Sequence, residues 1–215
     1  MKTLVCIPCM DMVPAEFFVA AMKLIRPDSN VAVVQSSLIY DARNQLARKA
    51  VQEGFDRTLW LDSDMTFEPD FYNRLSARLD EGLEMVTGLY VTRKIPIQPV
   101  IYDKCGYFEH DGGGIVPFAS SYKDYPKDSL FKIEGCGFGG VMVSTALIKR
   151  VADKFGLPFS PMLGLGEDLS FCGRVAEVGG EIWCDSTIKM GHVGRAIFTE
   201  NVYLTQKGAK DDGDS

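Results

Sequence analysis

Two carboxylates separated by one residue, Asp62-Ser63-Asp64, follow the apolar run Leu59-Trp60-Leu61. At the end of a buried strand, alternate side chains can turn toward one point, and paired oxygens suit a hard divalent cation. Such a cation, held by one or two protein carboxylates, completes its shell with phosphate oxygens and water. The same three residues also read as a plain turn with a helix-capping Asp. A second acidic pair, Glu167-Asp168, follows Gly164-Leu165-Gly166 at a helix start, where the dipole favours the ionised carboxylate and keeps it available as a base or an acceptor. Helix starts also carry acids merely for stability. Further on, His192 stands between Gly191 and Val193-Gly194 and is one of only two histidines. Small neighbours leave its ring accessible as a ligand, although a single histidine is equally a surface or core residue.

The elements that must hold these residues follow from periodicity. Thr3 to Pro8 is an apolar run of strand length, and Pro14 opens an amphipathic helix over Phe17 to Ile25. Val31 to Val34 reads as a second buried strand. Ile39, Ala42, Leu46 and Ala50 keep helical spacing up to Gly54, and Thr58 to Leu61 is a third strand. Glu68-Pro69-Asp70 starts a helix with Phe71, Leu75 and Leu79 as its stripe, before a fourth strand at Met85 to Thr87. Between Tyr90 and Ile133 the many Gly, Pro, Tyr and Asp residues predict loops and short antiparallel strands, with a hairpin signal over 110–114. Val141 to Val143 is apolar again, Ser144/Thr145 caps a helix closed by Gly156, and a last helix from Glu167 to Val178 precedes a strand from Glu181 to Cys184. Alternating strand and helix predicts parallel pairing in an α/β domain, with mixed strands in the C-terminal half. Open α/β sheets place their ligand crevice at the carboxyl ends of the strands, where Asp62 and Asp64 fall.

Composition bounds the function. The chain's 215 residues suit one domain, and its net charge of -6 argues against general nucleic-acid binding, which selects clustered Lys and Arg. Part of that acidity lies in residues 208–215, read as a solvated, disordered tail after a single domain over 1–207. No apolar run approaches a membrane span, and Met1-Lys2-Thr3 leads into a short strand rather than a signal peptide, so the cytosol is the expected location. The six cysteines are scattered in apolar segments, as buried free thiols are; Cys6-x-x-Cys9 has no second pair to complete a zinc site.

Taken in order, a strand ending in D-x-D, a glycine-rich strand, E-D opening a helix, and then a strand followed by His resemble the GT-A fold glycosyltransferases. The likeness is to family 2-like members in particular, including short ones from phage and bacterial genomes, and runs from about Val5 to His192. It implies an α/β GT-A (Rossmann-like) fold with a mixed sheet, a nucleotide-sugar half over about 1–89 and an acceptor half over about 90–207. It implies that Asp64 binds Mn2+ or Mg2+ bridging the diphosphate of a nucleoside diphosphate sugar, with Asp62 touching metal or ribose, His192 as a metal or diphosphate ligand, and Ser63 in the same donor-binding turn. Asp168 would be the base on an acceptor hydroxyl and Glu167 would hold the acceptor; in a retaining enzyme these acids would orient substrate instead. Asp41-Ala42-Arg43-Asn44 resembles the family's A-R-N segment, which puts Arg43 and Asn44 near base and phosphates, and Pro8 to Met10 would line the nucleoside pocket. Where the family often has an acid that reads uracil, this chain has Gln35-Ser36-Ser37, so UDP is the default base rather than a motif-backed one.

Two further features bear on the donor. Gly135-Cys136-Gly137-Phe138-Gly139-Gly140 contains G-x-G-x-x-G, but a strand rather than a helix follows it, which opposes a dinucleotide site; Gly139 and Gly140 read instead as room for backbone to approach a sugar ring. Arg93 and Lys94 are candidates for diphosphate or acceptor contact, or a solvated basic pair. The acceptor could be a glycan, a protein or a modified nucleotide, DNA included. Competing readings are a sugar-1-phosphate nucleotidyltransferase, which should show a basic glycine-rich loop after the first strand, and a non-catalytic nucleotide-sugar or carbohydrate-binding protein.

Overall fold

The computed structural model describes residues 1–94, 96–109 and 112–194. The first apolar run forms β1 (Thr3–Cys9), and Pro14, already at φ -58°, leads into α1 (Ala15–Lys23). β2 (Ser29–Gln35), α2 (Ile39–Gln52) and β3 (Arg57–Leu61) follow, with Gly54 at φ +67° making the left-handed turn that ends α2. Beyond the acidic turn come the two-residue β4 (Met65–Thr66), α3 (Phe71–Asp80) and β5 (Met85–Leu89). The Tyr-, Gly- and Pro-rich segment forms β6 (Ile101–Glu109) and β7 (Ile115–Ser121), antiparallel to each other, then β8 (Leu130–Ile133) and β9 (Gly135–Cys136). The chain returns through β10 (Gly140–Ser144), α4 (Thr145–Phe155), α5 (Glu167–Glu177), β11 (Ile182–Lys189) and β12 (Gly191–His192). Ser144 caps α4 as its position foretells, its hydroxyl accepting the Leu147 N–H at 3.2 Å.

The central sheet runs β2-β1-β3-β10-β5-β11-β8, and a smaller sheet, β7-β6-β9, stands beside it. Parallel pairing joins β2, β1 and β3, and also β5 and β11. The mixed character expected of the C-terminal half enters at β10, which lies antiparallel between β3 and β5. Its side chains are buried on both faces, Val141 and Val143 on one and Met142 on the other, so either strand direction would satisfy its apolar pattern.

Period-two alternation sorts the core into two layers. Leu59 and Leu61 of β3 face Phe17 of α1 and Phe71 and Leu75 of α3. Trp60 faces the other way, with Phe159 at 4.9 Å between ring centroids and Phe171 stacked on Phe159 at 4.5 Å. Full burial of side chains this size contributes about 2–3 kcal/mol each, which fixes the height at which the Trp60 strand delivers Asp62. β2 is not the buried strand its composition suggests. It is the sheet edge, with Val31 45% and Val33 61% exposed.

The 110–114 hairpin signal falls in the β6–β7 connection, where His110 and Asp111 lie outside the described residues, as does the acidic segment 208–215. Among the described residues no helix is long and apolar enough to cross a membrane. All six cysteines are free, five of them buried.

Candidate functional site

The turn after β3 is tied down first through its backbone: Asp62 N–H donates to Gly139 O at 3.3 Å, and Met65 N–H returns to Asp62 O at 3.3 Å. β4 then pairs antiparallel with β12, setting His192 opposite Met65, and Val193 N–H donates to Asp64 O at 2.8 Å. This two-residue ribbon brings a histidine from the far end of the chain to the acidic turn. His192 Nε2 lies 3.5 Å from Asp64 Oδ2, with half-buried Ser63 at the tip of the turn between the acids.

His192 Nδ1 lies 3.0 Å from the Val91 carbonyl oxygen, which can only accept, so Nδ1 carries the proton. In the neutral ring Nε2 therefore turns its lone pair toward a carboxylate. Two acceptors facing each other are satisfied by a cation between them or by a proton on Nε2. One carboxylate oxygen and one imidazole nitrogen, with room for phosphate oxygens and water, fit Mn2+ better than Mg2+, which favours an all-oxygen shell. Arg93 Nη1 meets Asp64 Oδ2 at 2.5 Å and provides the counter-charge. The Tyr90 ring meets His192 edge to face at 5.6 Å, and a groove of about 660 Å³ opens here, lined by Tyr90, Thr92, Arg93, Lys94, Val100 and His192.

Asp62 does not join this pair. Its Oδ1 accepts from Arg43 Nη2 at 2.7 Å, while Arg43 Nε donates to Glu167 Oε1 at 3.2 Å. Among the described residues no three His, Cys, Asp or Glu side chains form a group able to hold a metal. The convergence expected for Asp62, Asp64 and His192 is thus limited to the last two, because a guanidinium only 3% exposed claims Asp62. Burial pulls the Arg43 pKa down, but the charges of Asp62 and Glu167 outweigh it and hold the group above its ordinary value. Among the described residues its Nη1 is buried without a partner.

Asp168, the next residue on α5, departs from the helix-dipole expectation. Burial, reinforced by the neighbouring Glu167 charge, raises its pKa to about 6, against the opposing pull of the Leu169 N–H and Arg43. Loss of water at this helix start outweighs the dipole.

Other residues singled out in the sequence have internal tasks. Asn44 Oδ1 accepts the Phe159 N–H at 2.9 Å and so anchors the loop ahead of α5. Pro8 is buried in β1 opposite Val34, beyond the last β3 partner at Cys6, where its missing N–H costs no ladder bond. The room that suggested a sugar beside Gly139 and Gly140 is filled by protein. A Cβ on Gly139 would meet Tyr90 Cζ at 2.9 Å and Met65 Sδ at 3.0 Å, and one on Gly140 would overlap Met190. A Cβ on Gly137 would overlap Tyr90 Oη, so the glycine run accommodates the tyrosine. Tyr90, whose buried hydroxyl accepts the Gly139 N–H at 3.3 Å, is the site residue that sequence reasoning passed over. Its signal was its place just beyond a buried strand's carboxyl end.

No protein-family model matches the chain, and no curated protein matches it in sequence. Solved structures do resemble it. The crystal structure of A197 from STIV superposes with a TM-score of 0.64 at 20% identity, covering 91% of this chain and 87% of that one. GalNAc-T7, crystallised with UDP, GalNAc and Mn2+, superposes with a TM-score of 0.61 at 12% identity, covering 91% of this chain and 43% of that one. The chain has the GT-A fold, with a mixed seven-stranded central sheet.

Proposed function

We propose that the chain is a metal-dependent glycosyltransferase of family 2-like type, which moves a sugar from a nucleoside diphosphate sugar, in the first instance a UDP-sugar, to an acceptor hydroxyl. The observation that carries this reading is the meeting of Asp64 with the lone-pair side of His192 at 3.5 Å, at the carboxyl edge of a GT-A sheet. GalNAc-T7, which shares the fold, was crystallised with UDP, GalNAc and Mn2+, and that complex supports the donor class.

In this reading Asp64 and His192 hold Mn2+ or Mg2+, which when bound supplies positive charge against the departing diphosphate. Arg93 exchanges its ion pair with Asp64 for a diphosphate oxygen, and Lys94 adds charge from the same groove. Arg43 keeps Asp62 and Glu167 apart and oriented, with Asp62 free to turn its other oxygen to the donor. Asp168 takes the proton from the acceptor hydroxyl. A carboxylate raised to about 6 is mostly ionised at neutral pH yet more basic than an ordinary aspartate, which favours general-base work. Glu167, bonded to Arg43 through Oε1, offers Oε2 to an acceptor hydroxyl.

A thermal-shift comparison of UDP and UDP-sugars with and without Mn2+ tests the proposal. At about 100 times the dissociation constant, bound ligand adds about 2.7 kcal/mol. For a domain of this length that raises the midpoint by roughly 5–10 °C. The rise should need both UDP and Mn2+ and vanish in Asp64→Ala, whose own midpoint stays near that of the parent. Equal stabilisation by UDP without metal, or stabilisation by NAD instead, would overturn it.

A further inference from the structure

The open edge of the central sheet has an unusual makeup. β2 reads Ser-Asn-Val-Ala-Val-Val-Gln, without a charge or a proline, although edge strands are ordinarily protected by lysines, prolines, bulges or shortness. The opposite edge, β8, follows the ordinary rule: it has only four residues and carries Lys132, paired with Glu181.

Among the described residues, hydrogen bonds fix which β2 groups are free. Thr3 N–H donates to Asp28 O, and Ser36 N–H donates to Cys9 O. In a parallel ladder the bonding direction alternates along the strand, so even-numbered residues bond β1. Ser29, Val31, Val33 and Gln35 therefore direct their N–H and C=O groups at the open rim. The side chains are bare as well. Val31 and Val33 stand beside Val5 and Ile7, which α1 covers, but α1 sits over β1 and β3 and leaves them uncovered. Phe18, Met22 and Ile25, at helical spacing along α1 and its exit, are exposed too, on the side of the helix away from Val19 and Lys23, which line a groove with Thr66 and Phe67.

We infer that β2 pairs antiparallel with β2 of a second copy about a two-fold axis at Ala32. In that register Val31 faces Val33 of the other copy and Ser29 faces Gln35, so each free residue meets another free one and each pair exchanges both backbone bonds. An uncharged strand meets its own image without repulsion, and the valines of both copies gather into one apolar cluster. To be specific, the pairing must cover about 1,000 Å², which requires the α1 stripes beside the strands as well as the strands themselves.

Light scattering and sedimentation of the full chain from about 1 to about 100 µM test this, a range that covers association at the weak, low-area end of specific interfaces. The mass should rise toward twice that of the monomer, and Val33→Lys should weaken association at least tenfold with an unchanged unfolding midpoint in dilute solution. In an antiparallel pair the Ala32 residues face each other at a Cα separation of about 4.5 Å, within disulfide reach. Ala32→Cys should therefore cross-link two chains under copper-phenanthroline oxidation, whereas the parent chain does not. A monomer throughout the range overturns the inference, even if the edge captures a strand of another protein. So does a dimer that Val33→Lys leaves intact or that Ala32→Cys fails to link.

Discussion

Replacing Arg43 by Met removes the one cation between Asp62 and Glu167 while keeping the aliphatic stem that packs in the core. The carboxylates are then left facing each other, with side chains 30% and 15% exposed. Breaking a buried pair from one side costs about 3–5 kcal/mol, and the partial exposure of Asp62 places this case at the lower end, about 3 kcal/mol. Offsetting this, the orphaned Nη1 disappears with the guanidinium, a gain of about 1 kcal/mol that brings the net loss to about 2 kcal/mol. Chemical denaturation at pH 7 reads that loss directly, and a thermal scan should show a midpoint lower by roughly 4–8 °C. Because the penalty belongs to two carboxylates left facing each other, Glu167→Gln added to Arg43→Met should recover about 1 kcal/mol or more. A midpoint within about 2 °C of the parent, or a loss that Glu167→Gln does not relieve, would refute the account of Arg43 as the clamp of two acids, since that account requires about 2 kcal/mol.

Asp168 makes a prediction of opposite sign. Its pKa of about 6 lies above that of an unfolded carboxylate, so the folded chain binds this proton more tightly; the stabilising contribution is complete below about pH 4 and is lost as pH rises through about 6. Asp168→Asn should therefore raise stability at pH 7 by about 2 kcal/mol, less than the full value of a two-unit shift because the side chain keeps some exposure. In the proposed reaction, UDP release from a UDP-sugar should climb with pH through about 6, and Asp168→Asn should lower it roughly 100-fold and flatten that profile. Gly137→Ala should cost about 3 kcal/mol, through overlap with the Tyr90 hydroxyl, and Tyr90→Phe in the same chain should return part of it; Gly139→Ala, whose Cβ meets the Tyr90 ring at 2.9 Å as well as the flexible Met65 at 3.0 Å, should cost about 2 kcal/mol by denaturation.

The sheet's parallel strands and most helices were legible because their periodicities are strong and their stops are chemical, such as Gly54 after α2 and Ser144 before α4. The direction of β10 was not, since a strand buried on both faces has no polar side to betray its orientation. β2 misled for a related reason. Four consecutive apolar residues resemble a buried strand, and only the seat of α1 over β1 and β3 leaves Val31 and Val33 bare. At the site, the meeting of Asp64 with His192 follows from the β4–β12 ribbon, two residues long on each side and too short to leave a pattern. The commitment of Asp62 to Arg43 and the raised pKa of Asp168 depend on burial by distant segments, which local spacing does not encode.

The central claim is that Asp64 and His192 share one cation, and pulsed electron paramagnetic resonance of Mn2+ bound with UDP tests it most directly. With only two histidines in the chain, 15N-histidine labelling isolates the nitrogen signal almost completely. The account predicts an imidazole nitrogen coupled to Mn2+, absent in His192→Ala and retained in His110→Ala. A Mn2+–UDP complex bound to the protein with no histidine coupling, or with coupling that survives loss of His192, would contradict it.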